Sequence, residues 1–189
     1  MQLDGMKVAV LVTDGYEPSE LTEPIRALRA AGAEPTIVSD HDGQIQGKTD
    51  ADIATVDTTL ETARPEDFEA LLLPGGVKNP DTMRQNARGV AFVRHFADAG
   101  KPIAAICHAP WMLVEADVVR GRRVTSYPSL KTDLRNAGAE WVDAEVVTDR
   151  GIVTSRTPKD LPAFNAKMVE EFAEGTHDRA ETAGAVSAS

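Results

Sequence analysis

Short apolar runs alternate along the chain with longer segments in which apolar residues recur at helical spacing. Residues 8–12, 71–73 and 103–106 are entirely apolar and strand-length, which is typical of strands buried on both faces of a parallel sheet. The pattern predicts strands at 7–13, 34–39, around 44–54, 69–73, 102–106, near 123–126, near 140–148 and 151–155, and helices at 18–32, near 87–100, near 109–116, near 128–137 and 160–173. This alternation predicts an α/β fold with helices on both faces of a mostly parallel sheet.

The length of the chain fits a single domain. It has 189 residues, a size that one hydrophobic core can serve, and it contains no internal repeat. We expect residues 1–175 to form this domain and the small, polar, alanine-rich residues 176–189 to form a disordered tail. Gly32 and Gly138 are expected to end the helices that precede them.

The only cysteine, Cys107, lies where the predicted strand at 102–106 meets the next predicted helix. A sharp strand-to-helix turn of this kind, a nucleophile elbow, holds a side chain above the carboxyl end of a parallel sheet. The positive end of the helix can lower a cysteine pKa from about 8.5 into the range of roughly 3.5–7.5. Cys107 is therefore a candidate nucleophile, although an inert core thiol would also fit this position.

Two neighbouring features favour catalysis over simple packing. His108 follows Cys107 directly and can act as a general base or form a thiolate–imidazole pair. Gly75 and Gly76 end the strand at 69–73, and their N–H groups, with that of His108, can form an oxyanion hole. A buried histidine and a plain Pro-Gly-Gly turn are the structural alternatives.

Glu17 is the candidate acid, because it follows the end of the first strand. Ligands of open α/β sheets bind outside the carboxyl ends of the strands, so Glu17, Gly75 and Cys107 are expected to converge. A carboxyl buried beside the thiol can donate a hydrogen bond to the thiolate or carry a proton. The alternative is a helix N-terminal acid, since Pro18 suits the first helical position.

Together these residues resemble the ThiJ/PfpI family, within the class I glutamine amidotransferase-like superfamily, and most closely its PfpI-type branch. The matching stretches are Ala105-Ile106-Cys107-His108-Ala109-Pro110, Leu73-Pro74-Gly75-Gly76, Asp14-Gly15-Tyr16-Glu17 and the segment from Val153 to Pro162. The resemblance implies a flavodoxin-like three-layer sandwich with a nucleophile elbow. It also implies Cys107 as nucleophile, His108 as its partner and Glu17 as the acid that hydrogen-bonds the thiolate.

The resemblance also implies a homo-oligomer, either a dimer or a hexamer. In PfpI-type enzymes an acid after the Gly-Gly loop of a neighbouring subunit completes a Cys-His-acid triad, and Asp81 is the matching carboxylate here. The family residue is usually glutamate, and the loop differs in length. Asp81 also suits the N-cap of a helix, which is the structural alternative.

Composition and charge exclude several classes of function. A net charge of −10 disfavours binding to nucleic acid, whose phosphates attract clustered Lys and Arg. The pattern contains no signal peptide or membrane span, and a single cysteine forms no internal disulfide, so we expect a cytoplasmic protein with no membrane partner. The histidines lack metal-ligand spacing, and no phosphate-binding or dinucleotide motif occurs, so neither a metal nor a cofactor is expected.

Two functional hypotheses remain. In the first, the Cys107 thiolate attacks a carbonyl, which gives either peptide or amide hydrolysis, or glyoxalase and protein deglycase action on methylglyoxal and its adducts. The substrate is then a small carbonyl compound or a peptide, and a role in stress response is expected. In the second, Cys107 is the oxidisable thiol of a non-catalytic redox or stress sensor, or of a chaperone.

Overall fold

The apolar runs of the chain assemble into one central sheet in the computed structural model. This structure describes residues 2–177. The strands of the described structure are β1 (Lys7–Leu11), β2 (Glu34–Ser39), β3 (Gln44–Gln46), β4 (Ile53–Thr55), β5 (Thr58–Thr59), β6 (Ala70–Leu73), β7 (Ile103–Ile106), β8 (Arg123–Val124), β9 (Glu140–Trp141), β10 (Val146–Asp149) and β11 (Ile152–Ser155). Its α-helices are α1 (Pro18–Ala30), α2 (Lys78–Met83), α3 (Ala87–Asp98), α4 (Pro110–Glu115), α5 (Lys131–Asn136) and α6 (Leu161–Glu174).

The central sheet has seven strands in the order β10-β11-β7-β6-β1-β2-β5. Every neighbouring pair is parallel except β10 and β11, which run antiparallel at one edge. The strands β3 and β4, and β8 and β9, form two small separate pairs. The expected α/β fold with a mostly parallel sheet is confirmed.

Alternate residues of β1 and β6 pack into two different hydrophobic clusters, because successive side chains of a strand point to opposite faces. Ala9 and Leu71 belong to the cluster that contains Phe92 and Phe96 of α3 and Leu113 of α4. Val10 and Leu72 belong to the cluster built with residues of α1 and α6, among them Leu21, Ile25, Phe164 and Phe172. The molecule therefore has three layers, with helices covering both faces of the sheet.

The boundaries expected from the sequence hold for most elements. Gly32 and Gly138 lie just after the ends of α1 and α5 with φ of 96° and 91°, a left-handed backbone that glycine adopts without a steric penalty. The helix α2 and the short strand β5 were not predicted. Neither carries enough residues to show a hydrophobic period.

The C-terminal segment follows α6, which ends at Glu174. The main-chain N–H of His177 donates a hydrogen bond of 2.9 Å to the Gly100 carbonyl, so residue 177 of the expected tail 176–189 contacts the domain. Residues 178–189 lie outside the described part of the chain. Within residues 2–177, the helices are too short or too polar to span a bilayer.

Candidate active site

The strands β1, β6 and β7 lie side by side in the sheet, so the segments that follow them meet at one edge. This is the convergence that the sequence predicts for the segments around Glu17, Gly75 and Cys107. The segments surround a cavity of about 940 Å³. Among its lining residues are Glu17, Glu20, Gly76, Cys107, His108 and Tyr127.

Cys107 has the backbone conformation of a nucleophile elbow, with a φ of 64°. A non-glycine residue in this left-handed region costs about 1–3 kcal/mol. The conformation is held by the Cys107 N–H, which donates to the Ser155 carbonyl at 3.0 Å, and by the Cys107 carbonyl, which accepts from the Tyr127 N–H at 2.8 Å. Cys107 lines the cavity, and the residue is only 7% exposed.

The His108 imidazole lies against the thiol, with Nδ1 at 3.2 Å from the Cys107 Sγ. Its Nε2 is 3.3 Å from the Ser129 hydroxyl. The ring stacks on Tyr127 at 4.6 Å between centroids, and Trp111 contacts it edge-on at 5.2 Å. Burial lowers the pKa of His108, so the imidazole is neutral at pH 7 and can accept a proton from the thiol.

Glu20, and not Glu17, is the acid beside Cys107. A Cβ placed on Gly75 would meet both the Glu20 carboxyl and the Cys107 Cβ, the latter at 2.7 Å, so the two side chains converge over this glycine. Glu20 is fully buried, and neither carboxyl oxygen has a well-aligned hydrogen bond. The sequence pattern did not indicate Glu20, because this residue lies within α1, one turn beyond the end of the loop that follows β1.

Glu17 occupies the wall of the cavity instead. Its carboxylate is 3.3 Å from the Lys48 ammonium, and its N–H donates to the Gly75 carbonyl at 3.4 Å. Lys48 is largely exposed, so this ion pair contributes little to stability. The expectation that Glu17 hydrogen-bonds the thiol is therefore wrong for this structure, because one helical turn separates it from the buried position that Glu20 holds.

The pKa values of the thiol and the acid are coupled. Burial, reinforced by the negative charge of Glu20, raises the pKa of the Cys107 thiol, and hydrogen bonds from the N–H groups of Gly76 and His108 oppose this rise. Burial also raises the pKa of Glu20, to about 7, while the adjacent thiol and the N–H groups of Gly75 and Gly76 act to lower this pKa. The backbone N–H at the helix start thus acts in the predicted direction, but burial outweighs it.

Gly75 and Gly76 bring main-chain N–H groups close to the buried thiol and carboxyl. The N–H of Gly76 lies near both the Cys107 thiol and the Glu20 carboxyl, and that of Gly75 lies near the Glu20 carboxyl. Gly76 has a φ of 83°, and a Cβ there would meet the Gly15 carbonyl and, at 2.8 Å, the Glu17 nitrogen. Of the three N–H groups expected to form an oxyanion hole, those of Gly76 and His108 are the two that lie near the Cys107 sulfur.

The DJ-1/PfpI family model matches residues 6–171. The chain belongs to this family. It is 47% identical over 165 residues to protein/nucleic acid deglycase 2 of Escherichia coli (strain K12), a match that covers 86% of this chain and 95% of the relative. It is 44% identical over 167 residues to general stress protein 18 of Bacillus subtilis (strain 168), covering 87% and 96%. The crystal structure of Drosophila melanogaster DJ-1beta superposes with a TM-score of 0.83 at 31% identity, covering 89% and 91%.

Membership of the DJ-1/PfpI family confirms the resemblance drawn from the sequence, and with it the flavodoxin-like sandwich. The partner acid expected from that resemblance, Asp81, lies exposed in the first turn of α2. It does not line the cavity of its own chain, nor is it the N-cap of α2, since Val77 occupies that position. Contact between Asp81 and a His108 would therefore need a second copy of the chain, and stays a prediction.

One group of possible metal ligands, which the sequence spacing did not indicate, lies elsewhere. Glu171, Glu174 and His177 place one ligand atom each within 4.8 Å of one another. The Glu171 carboxylate and the His177 imidazole are 2.8 Å apart, so this group is explained as an ion pair that holds the end of the described chain against α6. None of the three residues lines the cavity.

Proposed function

We propose that this protein is a cysteine-dependent glyoxalase and deglycase that acts on α-oxoaldehydes and on their adducts with amines. The observation that carries the proposal is the placement of the Cys107 thiol between a neutral imidazole at 3.2 Å and a buried carboxyl whose pKa is raised to about 7. A carboxyl with this pKa accepts and returns protons near neutral pH. The names of the relatives as deglycase and stress protein support the same chemistry and a role in stress response.

The reaction with methylglyoxal begins when the Cys107 sulfur attacks the aldehyde carbon. A C–S bond forms, His108 accepts the thiol proton, and the former carbonyl oxygen becomes the hydroxyl of a hemithioacetal as it takes up that proton from His108. The N–H groups of Gly76 and His108 stabilise the developing oxyanion. Glu20 then moves the proton of this carbon to the neighbouring carbonyl carbon. The hydroxyl on the first carbon gives up its proton and the oxygen of the neighbouring carbonyl takes one up, which leaves a 2-hydroxy thioester. Water hydrolyses the thioester, which frees the thiol and releases lactate.

An amine adduct of methylglyoxal enters the same sequence through a different first step. The sulfur attacks the carbon that carries both the hydroxyl and the amine nitrogen, the C–N bond breaks, and the amine leaves with the proton that the thiol gives up. The hemithioacetal that results is the one formed from free methylglyoxal. The amine is thereby repaired, and the remaining steps are shared.

The surroundings of His108 favour reaction with an aldehyde over peptide hydrolysis. Expulsion of an amine from a peptide requires strong acid assistance, whereas an aldehyde is already electrophilic. Burial lowers the pKa of His108, and among residues 2–177 its polar contacts are Cys107 and Ser129, with no carboxylate to stabilise an imidazolium. A peptidase would need the acid of a partner subunit, for which Asp81 is the candidate.

Oligomerisation is the second part of this proposal. If Asp81 reaches His108 of a neighbouring subunit, Asp81→Asn will lower peptidase activity and leave methylglyoxal turnover nearly unchanged. The oligomeric state, measured by sedimentation at the assay concentration, decides whether such contact exists. Unchanged activity on both substrates in a proven dimer or hexamer would remove Asp81 from the site.

The deciding experiment compares wild type with Cys107→Ser on three substrates: methylglyoxal, a methylglyoxal adduct of N-acetyl-arginine and a fluorogenic peptide amide. We expect Cys107-dependent formation of lactate from the first and release of N-acetyl-arginine from the second. Peptide cleavage without lactate would instead indicate a peptidase. Absence of turnover on all three, with Cys107 selectively oxidised by peroxide, would indicate the sensor.

A further inference from the structure

Asn79 is a buried polar residue behind the Gly75–Gly76 loop, and only 2% of its surface is exposed. Its Oδ1 accepts the Thr13 N–H at 2.8 Å. Its Nδ2 donates to the carbonyl oxygens of Pro74 and Gly75, each at 3.0 Å. The side chain therefore ties the end of β1 to the loop that follows β6, and both donors of its amide are used on that loop.

These two carbonyls control where the loop directs its N–H groups. In a planar trans peptide, the C=O of one residue and the N–H of the next point in opposite directions. The Gly75 carbonyl points to Asn79, so the Gly76 N–H of the same peptide unit points away from Asn79 and toward the Cys107 thiol. The Pro74 carbonyl likewise points to Asn79, and the Gly75 N–H of that unit faces the Glu20 carboxyl.

The loop needs such an anchor because glycine supplies little restraint of its own. Gly76 has a φ of 83°, and neighbouring glycines allow a peptide unit to rotate at low cost. Of the described groups, only the Glu17 N–H also donates to the Gly75 carbonyl, at a longer 3.4 Å. The two bonds from Asn79 are shorter and buried, and buried hydrogen bonds are costly to leave unmade.

We propose that Asn79 is a positioning residue that fixes the Pro74–Gly75 and Gly75–Gly76 peptide units so that their N–H groups face Glu20 and Cys107. The inference rests on the proposed function in that the Gly76 N–H is one arm of the oxyanion hole. Asn79 itself touches neither the thiol nor the substrate. It acts through the loop, so its replacement is expected to lower the reactivity of Cys107.

The sharpest variant is Asn79→Asp, which has nearly the same size. One carboxylate oxygen can still accept the Thr13 N–H, while the other replaces the amide donor and repels the carbonyls of Pro74 and Gly75. We expect the rate of Cys107 alkylation by iodoacetamide at pH 8 to fall about 10-fold, because the thiolate loses an N–H donor. The kcat for methylglyoxal is expected to fall about 10²–10³-fold with little change in KM, as for loss of one oxyanion donor.

A matched control separates positioning from general loss of stability. Asn86 caps α3 by accepting the N–H groups of Arg88 and Gly89, and it lies outside the cavity lining. Asn86→Ala should lower the melting temperature but leave the alkylation pH profile and kcat as in wild type. If Asn79→Asp does not fold, Asn79→Ala removes the same donors without adding a charge and is compared with Asn86→Ala in the same way.

A wild-type alkylation profile and kcat in folded Asn79→Asp or Asn79→Ala would overturn the proposal. The alkylation measurement uses no substrate, so it remains decisive even if wild type fails to convert methylglyoxal. In that case the proposed function fails and the positioning role is still tested. A slower alkylation in Asn79→Asp with unchanged stability would support positioning on its own.

Discussion

The carboxyl of Glu20 and the thiol of Cys107 lie together over Gly75, with no room for a side chain between them and the loop. Burial disfavours the charged form of both groups, and the negative charge of Glu20 disfavours the Cys107 thiolate further, whereas the neutral thiol favours the Glu20 anion. The pair therefore loses its protons in two steps, and the first step falls near the pKa of about 7 found for Glu20. Such values belong to the pair rather than to either residue.

Glu20→Gln is expected to separate reactivity from turnover. Removing the carboxylate charge lowers the pKa of Cys107, so alkylation by iodoacetamide at pH 8 should become at least about 3-fold faster. Turnover of methylglyoxal should fall by about 10²–10⁴-fold, since the proton-transfer group is lost. Slower alkylation together with unchanged turnover would contradict both roles assigned to Glu20.

Glu17→Gln provides the matched comparison, one helical turn away. Glu17 lines the cavity, and its charge raises the pKa of Glu20. The variant should lower the midpoint of the first titration step by less than about one pH unit, because a cavity open to water screens the charge. Methylglyoxal turnover should stay within about 3-fold of wild type. A loss of turnover as large as that of Glu20→Gln would show that Glu17 is needed for the proton transfer assigned to Glu20.

Glu20 also makes stability depend on pH. Its pKa is about 7 in the folded protein and 4.5 as an ordinary glutamate, so the folded state holds a proton that the unfolded chain releases between these values. Stability is therefore fully present below pH 4.5 and decreases as the pH rises to about 7, by on the order of 3 kcal/mol. Urea unfolding of wild type and Glu20→Gln at several pH values measures this as a difference that grows across the window. A constant difference would show that Glu20 is not buried as described.

Gly76→Ala should be much more harmful than Gly121→Ala. Both glycines have positive φ, 83° and 69°, but a Cβ on Gly76 would meet the backbone at Gly15 and Glu17, whereas one on Gly121 would meet nothing within 4 Å. The strain common to both costs about 1 kcal/mol. We expect Gly76→Ala to lose more than about 2 kcal/mol of unfolding free energy and to slow turnover strongly. Equal losses in the two variants would show that the loop at Gly76 has room to move.

The sequence predicted the parts of the site that immediately follow strands. Cys107, His108 and the two glycines lie directly after apolar runs, and parallel strands bring such positions to one edge. Topology alone therefore places them, whatever the packing around them. The same reasoning chose Glu17, because it is the carboxylate nearest the end of β1.

Glu20 was missed because its place is set by the face of a helix and not by the end of a strand. In α1 the buried residues are Glu20, Leu21, Pro24, Ile25 and Leu28, which follow helical spacing. An acid within this apolar face is the signal that would have found it. Asn79 gave no comparable signal, since its three hydrogen bonds are all to the backbone of residues brought near by folding.

The chain contains a single cysteine, and it lines the cavity with 7% of its surface exposed. A sulfenic acid formed at Cys107 has no second thiol in its own chain with which to condense. Recovery then depends on external thiols. The first forms a mixed disulfide with Cys107 and releases water, and a second attacks the outer sulfur of that disulfide, which releases the Cys107 thiol and a disulfide of the two external thiols. A cavity of about 940 Å³ admits a reductant the size of a small peptide. The opening that admits the substrate thus also determines which cellular reductants can repair the enzyme.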